Sequence, residues 1–277
     1  MKVTILMVGV VILTAIFAGC TGNNNNTSAS GTIKVTGSTT VLPVAQATAD
    51  AFMKNNSKVD IQVSGGGSGV GVTSAGDGTA DVGMSSRDLT AAEVTKYPTL
   101  QKTTVATDCL AMIVHSSNTV SALTILQVMG IYNGTYKNWK DLGGPDLTIT
   151  LVGRDSASGT RDYFSSAIMN KQNTTAGMLE LNSNGAVQST VSTTPGAVGY
   201  VGLGYAGAPN HALKIIVGSD QIEANSVNAL NGKYPLSRPL FMLTKGAPTG
   251  LAKDYIDFIL SAKGQTIVEK EGFVKIK

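Results

Sequence analysis

The seven residues from Arg154 to Thr160 hold the chain's densest oxyanion chemistry. Arg154 closes an apolar stretch and stands four residues before Ser158-Gly159-Thr160. A guanidinium forks two charge-assisted hydrogen bonds to an oxyanion, and the following hydroxyls and amides add neutral donors. The same residues have an ordinary use, in which Arg154 pairs with Asp155 or Asp162 and Ser158 caps a helix. Ser38-Thr39-Thr40 offers a second set of hydroxyls and amides, again at a place where plain N-capping would suffice. Ser64 to Gly71 is glycine-rich, with Ser68 and Gly69 at its centre, and lets backbone approach a ligand closely. It is not a P-loop, because no Gly-Lys-Ser/Thr follows. Ser85-Ser86-Arg87 is a fourth cluster, and Arg87 has Asp88 beside it as a surface partner.

These clusters need elements to hold them. From residue 31 onward, alternating strands and amphipathic helices predict an α/β protein with mainly parallel sheets. Ile33 and Val35 alternate with polar residues before Gly37 breaks the strand. Val41, Ala45 and Phe52 then share a helical face with Pro43 in the tolerated first turn. Val59, Ile61 and Val63 lead into the glycine loop, and Leu147, Ile149 and Leu151 lead into Arg154. At three places a strand therefore runs into a Gly/Ser/Thr cluster that opens a helix or helix-like turn. Ligands of open α/β sheets sit beyond the carboxyl ends of strands, where helix N-termini favour anions. The expectation is that three such ends converge on one anion.

Composition narrows the alternatives. A net charge of +3 with no Lys/Arg cluster gives no case for nucleic acid. His115 and His211 are the only histidines and have no metal-ligand spacing, so no metal and no cofactor is expected. No Gly-x-Ser-x-Gly elbow occurs, since Val70 follows Ser68 at the second place, which argues against a serine hydrolase or phosphoesterase. Cys109 lies in an apolar run and reads as a small buried hydrophobe.

The first residues are an address. Lys2 precedes the apolar run Val3 to Ala18, and Phe17-Ala18-Gly19-Cys20 ends it. The run reads as a secretory signal over 1–19, short for a spanning helix. The site is similar to a lipoprotein cleavage site with Cys20 as the lipidated N-terminus, although Phe17 stands where leucine is usual. An uncleaved anchor is the alternative; either places the remainder outside the membrane. Residues 20–30, with four consecutive asparagines, read as a flexible tether.

Seven motifs carry a wider resemblance, in this order along the chain: Gly-Ser-Thr-Thr-Val at 37–41, Gly-Gly-Gly-Ser-Gly at 65–69, Gly-Met-Ser-Ser-Arg at 83–87, Asn-Trp-Lys-Asp at 138–141, Arg-x-x-x-Ser-Gly-Thr-Arg at 154–161, Pro-Gly-Ala-Val-Gly-Tyr at 195–200 and Lys-Tyr-Pro-Leu at 233–236. Together they resemble the phosphate-binding proteins of ABC transporters. The resemblance implies a two-lobed periplasmic-binding-protein type II fold with two interlobe crossovers. Lobe one would be residues 31–113 and 235–277, and lobe two residues 114–234. It implies a monomer on the extracytoplasmic face of the membrane that takes inorganic phosphate to ABC permease subunits and their ATPase. Thr39, Thr40, Ser68, Gly69, Arg154, Ser158, Gly159 and Thr160 match the family's phosphate contacts, and Ser38, Ser85 and Arg87 stand beside them. Ser86 falls where many members carry an aspartate that accepts the phosphate proton and so rejects sulfate. Asp108 is a candidate replacement acceptor. Sulfate, molybdate or tungstate remains open as the anion.

Overall fold

The computed structural model describes residues 29–276. The leader, Cys20 and most of the tether lie outside the described residues. No helix among those described is long and apolar enough to cross a membrane.

The first half of the chain runs β1 (Gly31–Gly37), α1 (Leu42–Asn55), β2 (Val59–Gly65), α2 (Ser68–Asp77), β3 (Val82–Ser85), α3 (Ala91–Lys96), β4 (Leu100–Val114), β5 (Ala122–Thr124) and α4 (Ile125–Tyr132). It continues with β6 (Thr150–Arg154), α5 (Gly159–Ala167), β7 (Leu179–Leu181), α6 (Asn184–Thr193), β8 (Ala197–Gly202), β9 (His211–Val217), β10 (Asp220–Ile222), α7 (Ser226–Leu230), β11 (Ser237–Lys245), α8 (Gly250–Leu260) and α9 (Ala262–Lys270).

β1 lies between β2 and β3, parallel to both, with Ile33 opposite Ile61 and Val35 opposite Val82. The alternation seen in the sequence puts Ile33 and Val35 into the core while Lys34 faces water. α1 covers this sheet with Val44, Ala45, Thr48, Ala49 and Phe52, a single stripe at helical spacing. In the second sheet β6 is parallel to β7 and β8. The expectation of mainly parallel sheets is corrected: β11 is antiparallel to β3 and β4, and β4 is antiparallel to β8 and β9. The reason is that β4 runs on from the first sheet, where it pairs with β11, into the second, where it pairs with β8 and β9, and it is antiparallel to all three.

Two main cores follow. One gathers Val35, Val44, Ile61, Val82, Met84, Ala106, Leu240, Tyr255, Ile259 and Phe273. The other gathers Cys109, Leu110, Ile113, Tyr132, Trp139, Val152, Phe164, Tyr200 and Leu236. Along β4 the packing therefore changes between Ala106 and Cys109, a few residues before the expected 113/114. Leu110 to Val114 pair with β8 rather than with the first sheet. A strand buried on both faces reads as one apolar run, so its hydropathy cannot mark where it changes sheets.

Three of the sequence motifs brace the second sheet. Trp139 donates Nε1–H to the Gly196 carbonyl at 2.8 Å. Tyr234 donates its hydroxyl to the Leu110 carbonyl at 2.8 Å. Tyr200 stacks on Phe164 with ring centroids 4.1 Å apart, and its hydroxyl accepts the Arg154 amide at 3.0 Å. The core thereby fixes the strand end that carries Arg154.

Candidate anion-binding site

Three sequence clusters sit at strand ends, and each opens a helix. Ser38 to Thr40 follow β1, Ser68 and Gly69 begin α2, and Ser158 to Thr160 begin α5 after β6. Neither α1 nor α2 has a side chain capping its first amides. Pro43 brings no N–H to α1, and the amides of Leu42, Gly69 and Gly71 are taken by the carbonyls of Ser38, Ala157 and Gly67, so only part of each first turn is left for an acceptor from outside the helix. Ser158 caps α5 by accepting the Arg161 amide at 3.2 Å, which leaves its hydroxyl hydrogen for another partner.

The clusters meet across the two cores. Thr40 Oγ1 and Thr160 Oγ1 are 2.9 Å apart, and the Gly69 amide donates to the Ala157 carbonyl at 3.0 Å. A Cβ on Gly159 would stand 2.2 Å from Ser68 Oγ, and one on Gly67 would stand 2.5 Å from the Ala157 carbonyl oxygen. Only glycine permits either approach. Ser38, Thr39, Thr40, Ser68, Ser85, Ser86, Asp108, Arg154, Ser158 and Thr160 are all buried.

Arg154 is 1 % exposed and makes no ion pair among the described residues. Its Nε and Nη2 donate to the carbonyls of Leu181 and Asn182, both at 3.1 Å. Nη1 has no protein acceptor among the described residues. Burial draws the guanidinium below its ordinary value, with Asp155 opposing and Arg238 adding to the effect. The salt bridges to Asp155 or Asp162 that would have explained Arg154 without a ligand are not formed. One Asp155 oxygen, Oδ1, is buried without a hydrogen-bond partner.

Two candidates are placed differently. Arg87 is gripped by both Glu93 oxygens at 2.7 and 2.8 Å and reaches Asp162 on α5 at 2.5 Å. Its charge is matched by two carboxylates, so it has none to offer an anion. Asp88, its expected surface partner, pairs with Lys102 and contributes only a backbone carbonyl. Burial acts to raise Glu93, and the Arg87 guanidinium and Thr90 outweigh it, so the carboxyl sits below its ordinary value. Asp108 is the second correction. Its Oδ2 takes two bonds from Arg238 at 2.8 and 3.0 Å, and its Oδ1 takes the Leu203 amide at 2.8 Å. Burial pushes this carboxyl up, against the pull of Arg238 and the Leu203 amide. With both oxygens engaged, Asp108 is not a free acceptor for a ligand proton.

Ser85 accepts the Arg87 amide and donates to the Arg87 carbonyl, so its hydroxyl serves its own turn. Ser38 likewise accepts the Thr40 amide at 3.2 Å. Ser86 lies deeper, with its amide on Ser68 Oγ at 3.0 Å and its hydroxyl 3.3 Å from the same atom.

Two residues of this site were not anticipated. Asn184, first in α6, donates to Thr39 Oγ1 and Thr40 Oγ1 at 3.0 Å each. Its signal is the Asn182-Ser183-Asn184-Gly185 run, a strand-to-helix turn like the other three. Arg238 donates to Thr160 Oγ1 at 3.0 Å and to the Gly159 carbonyl at 3.3 Å. A lone arginine before Pro239 in a strand has no local signature.

The chain matches the PBP superfamily domain over residues 22–263. It is 34 % identical over 250 residues to the phosphate-binding protein PstS of Bacillus subtilis, covering 90 % of this chain and 82 % of that one. It is 31 % identical to PstS of Pseudomonas aeruginosa, covering 89 % and 84 %. Among solved structures, a Clostridium perfringens substrate-binding protein assigned to phosphate ABC transport, with phosphate bound, superposes with a TM-score of 0.84 at 36 % identity, covering 89 % of this chain and 100 % of that one. An ABC-type phosphate transport receptor from Vibrio cholerae superposes at 0.70 and 31 % identity, covering 87 % and 99 %. The chain belongs to the PstS family of phosphate-binding proteins within the PBP superfamily.

Proposed function

We propose that this chain captures inorganic phosphate outside the cell, between a lobe of residues 31–107 with 238–277 and a lobe of residues 108–237, and hands it to an ABC permease with its ATPase. The observation that carries the reading is Arg154, a buried cation with no carboxylate partner. A lone buried charge is costly, and an anion of opposite sign removes that cost. Thr39, Thr40, Ser68, Ser158, Gly159 and Thr160 supply the neutral donors around it. Charge-assisted hydrogen bonds contribute about 1.5–3 kcal/mol each, so a few reach the roughly 8 kcal/mol of micromolar binding. The contacts between Thr40 and Thr160 and between Gly69 and Ala157 describe the closed form, in which the ligand is shut from water. An importer then distinguishes closed from open by the relative placement of the lobes.

Capture without turnover fits the remaining chemistry. His115 Nδ1 contacts Ser117, His211 Nε2 contacts the Val120 carbonyl, and burial pushes the Cys109 thiol up to about 12. None of these is an activated nucleophile or base beside the site. Lipidation at Cys20 with a tether to residue 30 would hold a monomer at the outer face of the membrane. Calorimetric titration of the purified chain with phosphate, and with sulfate as control, tests the reading. Phosphate binding at micromolar or tighter affinity is expected. Exclusive binding of sulfate, molybdate or tungstate would move the assignment to that anion, and release of phosphate from a phosphoester would replace it with an enzyme.

A further inference from the structure

Several contacts join the two lobes, and none of them needs an anion to form. Thr40 Oγ1 meets Thr160 Oγ1 at 2.9 Å, and the Gly69 amide reaches the Ala157 carbonyl at 3.0 Å. Asn184 directs its Nδ2 hydrogens to Thr39 Oγ1 and Thr40 Oγ1, both at 3.0 Å. Tyr205 donates its hydroxyl to the Thr39 carbonyl at 3.1 Å, and Arg238 Nη1 reaches the Gly159 carbonyl at 3.3 Å. Arg87 adds its ion pair with Asp162. Each has its two partners in different lobes and is complete within the protein. Taken alone, they favour lobes that shut with or without a ligand.

One group opposes them. Arg154 belongs to the lobe of residues 108–237 and is held there by the carbonyls of Leu181 and Asn182. Asn182 stands two residues before Asn184. The contact of Asn184 with Thr39 and Thr40 therefore lays the other lobe over the segment that holds the guanidinium. So covered, Arg154 is 1 % exposed and has no carboxylate bonded to it among the described residues. Burial draws the guanidinium down, and Arg238 of the other lobe adds to this against the pull of Asp155. Taking an uncompensated charge out of water outweighs a few neutral hydrogen bonds, since each of those only replaces bonds to water. An anion on Arg154 removes that penalty and leaves the direct contacts unopposed.

We infer that Arg154 is a block on ligand-free closure: its charge holds the lobes apart until an oxyanion neutralises it, and the contacts between the lobes then shut the site. An importer that distinguishes closed from open is thereby shielded from a chain that carries nothing. Release of the block by phosphate rests on the phosphate reading above, whereas the block itself is measured with no ligand present.

The test is small-angle scattering of the purified chain without phosphate, with melting curves as the check on folding. The wild type is expected to be open and to close when phosphate is added. Arg154→Met is expected to be closed without phosphate, a shift on the order of a hundredfold in the closing equilibrium. Arg154→Gln is the second neutral variant, used if Arg154→Met loses its melting transition. Arg154→Lys keeps the charge and is expected to stay open. Adding Gly159→Ala to Arg154→Met should reopen the chain, because that Cβ would stand 2.2 Å from Ser68 Oγ when the lobes meet. Compaction that survives Gly159→Ala is not lobe closure and overturns the inference. A neutral variant that folds and stays as open as the wild type overturns it, and so does a wild type already closed without phosphate. Ligand-free closure of Arg154→Lys overturns it too, since charge would then not be what holds the lobes apart. Failure of the wild type to bind phosphate removes phosphate capture, while the ligand-free comparison still decides the block.

Discussion

The ends of β3 and β6 are built alike, and they behave differently. Each strand runs out of a core into small polar residues beside an arginine, Ser85-Ser86-Arg87 in one and Arg154 with Ser158-Gly159-Thr160 in the other. Arg87 meets Glu93 from its own lobe and Asp162 from the other, so its charge joins the lobes. Among the described residues the Arg154 guanidinium meets only the carbonyls of Leu181 and Asn182. On the proposed reading, two arginines of similar local setting divide the work, Arg87 joining the lobes and Arg154 meeting the anion. The difference lies in which carboxylates the fold brings near, since a buried guanidinium is silent when paired and a binding site when not.

The comparison breaks first at Arg154. Arg154→Met is expected to weaken phosphate binding by about a hundredfold or more in calorimetry, because a charged hydrogen-bonding partner of a buried anion is lost. The same substitution should leave the ligand-free melting temperature equal or higher, since it removes an unpaired buried charge; a lower value would mean Arg154 supports the fold rather than the ligand. Gly159→Ala comes next. Its Cβ would collide with Ser68 Oγ only when the lobes meet. Affinity should fall about tenfold or more while the ligand-free melting temperature holds, with small-angle scattering showing the open form persisting in saturating phosphate.

Arg87 should yield a smaller, kinetic effect. Asp162→Asn removes the interlobe contact without touching the anion position, and its half-exposed carboxylate limits the loss to a few-fold in affinity. The loss should appear as faster phosphate release in stopped flow and should shrink at high salt. A change as large as that of Arg154→Met would refute the division of work. The smallest effect is on pH. Glu93 is lowered in the folded chain, so the stability it adds is present above its unfolded value and is lost as pH falls through the folded one. Melting temperature should decline below about pH 4.5, and Glu93→Gln should flatten that decline.

The alternation of Ile33 and Val35 and the helical stripe of α1 were legible because they are local. So were the strand-to-helix turns at Ser38, Ser68 and Ser158, where a hydroxyl residue before a helix has few other uses. Asn184 belongs to the same class of turn, but its strand, β7, is three residues long and lacks an apolar run to announce it. Where β4 passes from one core to the other is not legible in the sequence, because hydropathy shows that a strand is buried and not against which sheet.

What the order of residues determined by itself is the secondary structure and the concentration of neutral donors at strand ends. Those are set by interactions over a few positions. Which charges stay unpaired was decided only in three dimensions. Asp162 neutralises Arg87 from 75 positions away, and Asp108 holds Arg238 from 130. Coulomb interaction and lone-pair counting depend on distance in space, so the contrast between a paired and an unpaired arginine exists only once the two lobes have folded and met.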